Sequence, residues 1–212
     1  MTVFDLLFFL TVGIAVGAVL RIAYALARGR GRVARRILLS LGMLLGVYAA
    51  ALITVSVTST PHVLGLHQPD CFDEWCLTVE RVVHRQTIGH GPRDVVARGR
   101  LYLVTVRVSN DGKRTSQRAV DAQVYLVDTT DRRYDPAPTA QAAVDKSGQG
   151  GQPLDTELPP GGAFTRTIVF DLPQTVQPHS LVVIHGLFPT ILIIAHPQSF
   201  LHKPTILTLP PL

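Results

Sequence analysis

The stretch Leu101-Tyr102-Leu103-Val104-Thr105-Val106-Arg107-Val108-Ser109-Asn110 decides the fold class of this 212-residue chain. Every second side chain from Tyr102 to Val108 is apolar, with Val104 and Val106 between them, which is the period of a β-strand that buries one face. Asn110-Asp111-Gly112 follows directly, and this sequence predicts a hairpin-type turn. We therefore expect a long strand that ends at Asn110.

Similar alternation recurs before and after this stretch. It predicts further strands at 77–83, 120–128, 163–170 and 180–185, with one or two more within 187–209. In the strand at 163–170, the apolar face comprises Phe164, Ile168 and Phe170. Residues 136–153 are rich in Ala, Pro, Gly and Gln and are predicted to form a long loop. The pattern favours a mainly β protein, with an immunoglobulin-like antiparallel β-sandwich over residues 76–212.

Two apolar runs precede the predicted sandwich, at about 4–27 and 37–57. A transmembrane helix needs about 20 apolar residues to cross a hydrocarbon core of ~30 Å, and both runs are long enough. A cleaved signal peptide is the alternative for the first run. Such a peptide begins with positive charge, whereas this chain begins Met1-Thr-Val-Phe-Asp5. Residues 1–58 are therefore predicted to be an N-terminal two-helix transmembrane hairpin.

The segment Arg21–Arg36, which covers the end of the first run and the connection to the second, carries six arginines and no acidic residue, namely Arg21, Arg28, Arg30, Arg32, Arg35 and Arg36. Short loops with such an excess of arginine stay in the cytoplasm. The N-terminus and the C-terminal domain are then expected on the periplasmic side of a bacterial inner membrane.

The same arginines account for the whole net charge of the chain. Residues 1–58 hold these six arginines and Asp5, a net charge of +5, whereas residues 59–212 hold 14 basic and 14 acidic residues. A nucleic-acid-binding domain needs a basic face. The predicted sandwich has no net positive charge from which to form one. The expected partners are therefore membrane lipids and proteins, and no nucleic acid.

Each apolar run contains a Gly-x-x-x-Gly pair, Gly13/Gly17 in the first and Gly42/Gly46 in the second. Such pairs let helix backbones approach closely in lipid. Because their depths relative to the arginines match, we expect them to form the contact between the two helices. Coincidence and a face for a helix of another subunit are the alternatives. Neither run carries a histidine or a mid-depth acid, which argues against a channel, a transporter or cofactor ligation.

Residues 59–75 are predicted to be a linker that contains most of the cysteine motif. Cys71 and Cys76 are the two cysteines of the chain. Outside the cytoplasm such a pair predicts a disulfide that holds a local turn. Free thiols are an alternative. A zinc site would need four ligands, and a redox pair would be spaced Cys-x-x-Cys.

The sequence predicts no catalytic, metal or cofactor site, and hence a protein that is not an enzyme. Its eight histidines form neither His-x-His nor His-Glu-x-x-His, and no Gly-x-Ser-x-Gly, phosphate-binding or dinucleotide motif is present. Asp128, Asp131 and Asp135 are spaced loosely like calcium ligands, but the glycine and the terminal glutamate of a calcium loop are missing. These acids are predicted to lie in turns.

Three segments carry a resemblance to a known group of domains. They are Val106-Arg-Val-Ser-Asn110-Asp-Gly112, the Asp128 to Tyr134 segment, and Leu158-Pro-Pro-Gly-Gly162 followed by Thr167-Ile-Val-Phe170. Together they resemble bacterial extracytoplasmic immunoglobulin-like domains of unknown function, a group that includes a mycobacterial immunoprotective extracellular antigen. The resemblance covers roughly residues 76–186. It implies the fold and transfers no catalytic residue, and the membrane hairpin departs from the group's usual secreted or lipoprotein form.

These features favour a non-catalytic accessory subunit on the periplasmic side of a larger integral-membrane complex. A photosynthetic reaction-centre–antenna complex or a respiratory complex is a candidate host. The apolar stretches 187–195 and 206–212 would be either the last core strands or a surface for a neighbour. The alternative function is a free-standing envelope binding module that uses loops near 84–93 or 136–153.

Overall fold

Residues 2–72, 74–88 and 95–210 are described by the structure, which is a computed structural model. They divide into two units. The helical unit comprises Met1–Thr60 and Leu187–Lys203, and the sandwich unit comprises Pro61–Gly186 and Pro204–Leu212.

Helix α1 (Val3–Ala27) and helix α2 (Gly31–Thr58) form the main part of the helical unit. Thr2 caps α1: its hydroxyl accepts a hydrogen bond from the Asp5 amide, and the Asp5 carboxylate accepts one from the Thr2 amide. This reciprocal capping box satisfies two amides that the first turn leaves open. Both helices are long and apolar enough to cross a membrane.

The predicted arginine loop is shorter than expected. The turn between the helices spans residues 28–30. It requires a positive φ at residue 29, and Gly29 adopts a φ of 68°. Arg21 lies on α1, while Arg32, Arg35 and Arg36 lie on the first turns of α2. Arginine has a high helix propensity, so the helix continues through it.

The two helices contact each other through a repeat of three and four residues. The buried positions are Phe8, Thr11 and Ala25 on α1 and Ala34, Leu52 and Ser56 on α2. Half-buried residues fill the intervening positions: Ala15, Ala18, Ile22, Ile37, Leu41, Leu44 and Tyr48. This spacing is typical of helices that pack side by side.

The glycine pairs do not form this contact, so that prediction is wrong for these two helices. Gly13, Gly17, Gly42 and Gly46 are exposed, and within the described part of the chain a Cβ atom at any of them would meet nothing within 4 Å. The reason is helical phase. Gly13 and Gly17 lie two residues from Ala15, on the opposite side of α1 from the contact.

The prediction of one or two strands within 187–209 is confirmed by a strand at Ile206–Thr208, but the Leu187–Lys203 segment contains no strand. A four-residue stretch, α4 (Leu187–Thr190), is interrupted by the extended backbone of Phe188 and is followed by successive turns. Ile193 and Ile194 are both buried within these turns. The segment packs on α2, where the Tyr48 hydroxyl donates to the Leu192 carbonyl at 2.7 Å.

The sandwich unit contains two sheets, which confirms the predicted fold class. The four-stranded sheet has the order β2 (Pro69–Phe72), β3 (Trp75–Ile88), β4 (Val95–Asn110), β7 (Ala163–Leu172), and all of its neighbours are antiparallel. The five-stranded sheet has the order β1 (Val63–Leu64), β9 (Ile206–Thr208), β8 (Pro178–Ile184), β5 (Gln123–Asp128), β6 (Arg133–Tyr134). The pair β1–β9 is parallel.

Strand β4 supplies the centre of the core. Its predicted face is almost completely buried at Tyr102, Val104, Val106 and Val108. In the same core lie Trp75 and Leu77 of β3, Phe170 of β7, and Leu126 and Leu181 of the opposite sheet. Burying such side chains contributes about 1.5–3 kcal/mol each.

A β-bulge in β3 keeps its apolar residues on the inner face. Val79 pairs with Val106 and Arg81 with Thr105, so that Glu80 is the extra residue. Val79 and Val82 are three residues apart, and both are buried. Without the bulge, one of these two side chains would point outward.

Residues 136–153 are not a loop throughout, contrary to the prediction. Helix α3 (Pro138–Lys146) begins with Pro138 in its first turn, a position that proline tolerates well. Its buried residues Ala140 and Val144 are four apart and pack on Leu101, Leu103 and Val169 of the four-stranded sheet. The apolar face spans two turns, too short for the helical period to be evident in the sequence.

The same segment covers the open edge of β7. The Gln141 side chain accepts a hydrogen bond from the Val169 amide and donates to the Thr167 carbonyl, both at 3.0 Å. Ala137, Gly150 and Gln152 add main-chain hydrogen bonds along the same strand. An uncovered edge strand is a template for unwanted pairing, and this segment removes it.

The predicted linker at 59–75 is partly ordered into the two sheets. It contains β1 and β2, which belong to the five-stranded and four-stranded sheets respectively. Short edge strands of this kind are held by their neighbours, so local sequence carries little signal for them.

Asn110 ends β4 as predicted, but no hairpin follows, because the next strand, β5, lies in the other sheet. The Asn110 side chain is fully buried. It donates to the carbonyls of Thr115 and Leu158 at 2.9 and 3.0 Å and accepts from the Gly112 amide at 2.9 Å. Asn110 therefore ties the crossing loop to the turn before β7.

Asn110→Ala should lower the free energy of unfolding by about 2–3 kcal/mol, because it leaves buried main-chain groups without partners. Urea unfolding of the full chain in detergent, followed by the fluorescence of Trp75, measures the effect. Ser109→Ala, one residue away and half-buried, is the matched control and should change the midpoint little. Equal midpoints for the two variants would contradict this role of Asn110.

Candidate functional site

A groove of about 360 Å³ lies on the outer face of the four-stranded sheet. It is lined by Arg81, Val83, Arg85, Leu103, Thr105, Gln149 and Thr167. Two apolar side chains form its floor, and the hydroxyl oxygens of Thr105 and Thr167 lie 3.3 Å apart beside them.

Strand geometry explains why these residues meet. Arg81, Val83 and Arg85 alternate along β3 after the bulge and therefore share the outer face. The register places Arg81 beside Thr105, which in turn pairs with Thr167 of β7. Gln149 comes from the turn that follows α3.

The groove is positively charged. Arg81 and Arg85 are exposed, and within the described residues neither forms an ion pair closer than 4 Å. Guanidinium groups with nearby hydroxyl and amide donors suit a carboxylate or phosphate oxygen. The geometry therefore fits a small anionic group.

Neither Arg81 nor Arg85 is predicted individually from the sequence, although Arg85 falls within the predicted ligand loop near 84–93. The available signal was the Arg81-x-Val83-x-Arg85 alternation, which runs two residues past the strand predicted at 77–83. Of the two predicted ligand loops, 84–93 contains Arg85, which lies on β3, and 136–153 contributes Gln149. The loop near 84–93 can be compared only in part, because His90 and Arg93 lie outside the described residues.

Cys71 and Cys76 are joined in a disulfide whose Cα atoms are 4.0 Å apart. They face each other across β2 and β3, so the bond attaches the edge strand to its neighbour. A carboxylate oxygen of Asp111 lies 3.6 Å from the Cys76 sulfur. Because a disulfide sulfur carries no proton and no thiolate charge, this contact is neither a hydrogen bond nor a metal site.

His185 and Asp121 form the most prominent histidine contact among the described residues. The Asp121 carboxylate forms a hydrogen bond with the His185 Nδ1 atom at 2.5 Å. It also accepts a hydrogen bond from the Gly186 amide at 2.9 Å. The imidazole ring lies 5.0 Å from the Trp75 ring and 5.9 Å from the Phe72 ring. The pair orients a ring that closes one end of the core, which is a structural role.

The other candidate ligands do not gather into a site. No cluster of three metal-type ligands within the described ranges includes a histidine. Asp128 closes a turn, accepting hydrogen bonds from Thr130, Arg132 and Tyr134. The pKa of Asp128 lies well below its usual value, mainly because the Thr130 hydroxyl donates a hydrogen bond to the carboxylate.

Asp70 is a buried carboxyl on β2. Its Oδ2 atom has no hydrogen-bond partner among the described residues. Burial raises the pKa of Asp70 to about 6, although the charge of His62 acts in the opposite direction. Between about pH 4 and pH 6, the folded protein therefore holds a proton on Asp70 that the unfolded chain has already released.

Comparison with known proteins gives a family match. Residues 72–190 match the model of a family described as Domain of unknown function (DUF4352). No curated protein matches the chain.

Several solved structures are similar in fold. A conserved hypothetical protein from Bacillus anthracis is 18% identical with a TM-score of 0.43, covering 57% of this chain and 89% of that chain. A secreted protein from Mycobacterium tuberculosis is 14% identical with a TM-score of 0.42, covering 61% and 93%. An uncharacterized β-sandwich protein from Clostridium difficile is 8% identical with a TM-score of 0.42, covering 72% and 96%. At these values the likenesses carry no argument about function.

Asp70→Asn should stabilise the protein at pH 8 and should remove the part of the pH dependence of the unfolding free energy that Asp70 causes. Because the folded pKa is raised, the unfolding free energy of the wild type should fall as pH rises from about 4 to 6, by up to about 3 kcal/mol. Urea midpoints at pH 4, 6 and 8 measure this change. Asp155→Asn, at an exposed position, is the control. An unchanged pH dependence in Asp70→Asn would show that Asp70 is not its source.

Proposed function

Since the chain belongs to the DUF4352 family of domains of unknown function, we propose its role from its own architecture. It is a non-catalytic, membrane-anchored accessory subunit, whose sandwich unit lies on the extracytoplasmic side of a larger integral-membrane complex. A reaction-centre–antenna or respiratory complex of a bacterial inner membrane would be such a host.

The observation that carries the proposal is the apolar surface of α1 and α2. Large apolar side chains point outward along both helices, including Leu6, Leu10, Val16 and Leu20 on α1 and Leu39, Met43 and Val47 on α2. Water does not support a continuous apolar surface of this size, whereas lipid and other membrane helices do.

The arginines and the disulfide support one orientation. Arg32 lies in the first turn of α2, where the helix dipole disfavours a positive charge, so helix stability does not account for it. Cytoplasmic placement of the turn between the helices does account for it. The disulfide of Cys71 and Cys76 then lies in an oxidising compartment, where such bonds persist.

The outward glycines support a partner in the membrane. Because α1 and α2 pack through other residues, the Gly13/Gly17 and Gly42/Gly46 faces remain open to helices of another protein. Close backbone approach at such faces is a common source of helix association in lipid. Within the described residues, the outward faces of the helices lack the histidines and mid-depth acids of a transport path.

Gentle detergent extraction followed by native mass measurement should yield an assembly larger than a homodimer, with co-purifying integral-membrane proteins. Gly17→Leu with Gly46→Leu should dissociate it while leaving the α1–α2 contact intact, because both positions point away from that contact. Val19→Leu, also exposed on α1, is the matched control. A monomer or simple homodimer in the wild type would refute the accessory-subunit role.

The groove at Arg81 and Arg85 favours a second candidate function, an envelope module that binds a small anionic ligand. Its two guanidinium groups lie beside hydroxyl groups on a rigid sheet, an arrangement that can hold a phosphate or carboxylate group through several donors. This function does not require a partner in the membrane.

Calorimetric titration of the full chain with inorganic pyrophosphate tests this candidate. The wild type should bind in a salt-sensitive manner, and Arg81→Gln with Arg85→Gln should weaken binding about tenfold or more, since a charge-assisted hydrogen bond contributes roughly 1.5–3 kcal/mol. Arg114→Gln, at an exposed loop position, removes one charge elsewhere and should bind as the wild type does. Equal weakening by Arg114→Gln would mean that the groove is not the site.

A further inference from the structure

The Leu187–Lys203 segment returns the chain to the helices after β8. Three hydroxyl groups contact the segment: those of Tyr48 and Ser56 on α2, and that of Ser59 directly after the helix. Besides the bond from Tyr48 to Leu192, the Ser56 and Ser199 hydroxyls are 3.0 Å apart and buried. The Ser59 hydroxyl accepts from the Lys203 amide at 3.2 Å.

These contacts define the depth of the segment along α2. The helix has 28 residues, or about 42 Å of length. Counted from Ile37, the first residue after the arginines, a hydrocarbon core of ~30 Å is crossed after about 20 residues, near Ser56. Tyr48 and Ser56 therefore lie in the half of the span that is distant from the arginines.

The segment has the surface of an element in contact with acyl chains. Phe188, Leu192, Phe200 and Leu201 are exposed, Phe188 by 80% of its surface. At the end that contacts Ser59, the sequence becomes polar with His202 and Lys203.

Its backbone is suited to the same environment. Backbone amides that find no partner are costly in lipid, so irregular segments must satisfy them internally. Leu192 and Ile193 donate to Pro189 and Thr190 at 3.0 Å, and Phe200 donates to Ile191 at 2.9 Å. The turns thus satisfy much of their own hydrogen bonding.

We infer that Leu187–Lys203 is a re-entrant segment that enters the extracytoplasmic leaflet beside α2 and contacts lipid through Phe188, Leu192, Phe200 and Leu201. This inference rests on the membrane anchor of the proposed function. According to this inference, the lipid bilayer directly contacts a segment that is remote in sequence from α1 and α2.

Tryptophan quenching in vesicles of brominated phosphatidylcholine tests the inference. In the full chain, Phe188→Trp and Phe200→Trp should each lose a large part of the added fluorescence. Bromines near the headgroup should quench more than bromines near the chain ends. The wild type, with Trp75 alone, supplies the baseline, and Leu10→Trp on the exposed side of α1 is the control for the anchor.

The controls separate the two hypotheses. Quenching of Leu10→Trp together with both phenylalanine variants supports the re-entrant segment. Quenching of Leu10→Trp without either of them overturns the segment and leaves the anchor standing. No quenching of Leu10→Trp overturns the anchor and the segment together.

Discussion

Strand β4 must bury both of its faces, and the rest of the sandwich unit depends on this constraint. Tyr102 and Val104 face the opposite sheet. The alternate residues Leu101 and Leu103 face outward and are also buried. A two-sheet sandwich covers one face only, so a second cover is needed. Helix α3 provides it, and Gln141 of this helix, with the main chain on both sides of it, closes the edge of β7. The uncovered remainder of the outer face becomes the groove at Arg81 and Arg85.

The helical unit follows a different physical rule, because its outward surface is apolar. Thr11 and Ala25 are buried together with large apolar residues such as Leu52, and both helices also expose leucines, valines and phenylalanines. A soluble helix pair has a polar outward surface. This difference is the reason that we treat lipid as its solvent, and it extends to Leu187–Lys203.

Much of the fold was predictable because it depends on local periodicity. The long strand ending at Asn110, both apolar helices and the strand at β7 follow from side-chain spacing. The errors share a cause: α3 has a short apolar face, Asn110-Asp-Gly112 has the sequence of a hairpin, and 187–195 has the composition of a strand. In each case the outcome depends on a partner distant in the chain, namely Leu103, Leu158 and Tyr48 respectively.

The fold class, the two apolar helices and the location of all net charge follow from the amino-acid sequence, because composition and period are properties of single segments. The direction of the glycines, the cover on the outer face of β4 and the arginines that share a groove depend on how the chain packs. Those outcomes depend on helical phase, strand register and a single inserted residue at Glu80. A shift of one position moves a side chain to the opposite face, and no property of an isolated segment specifies such a shift.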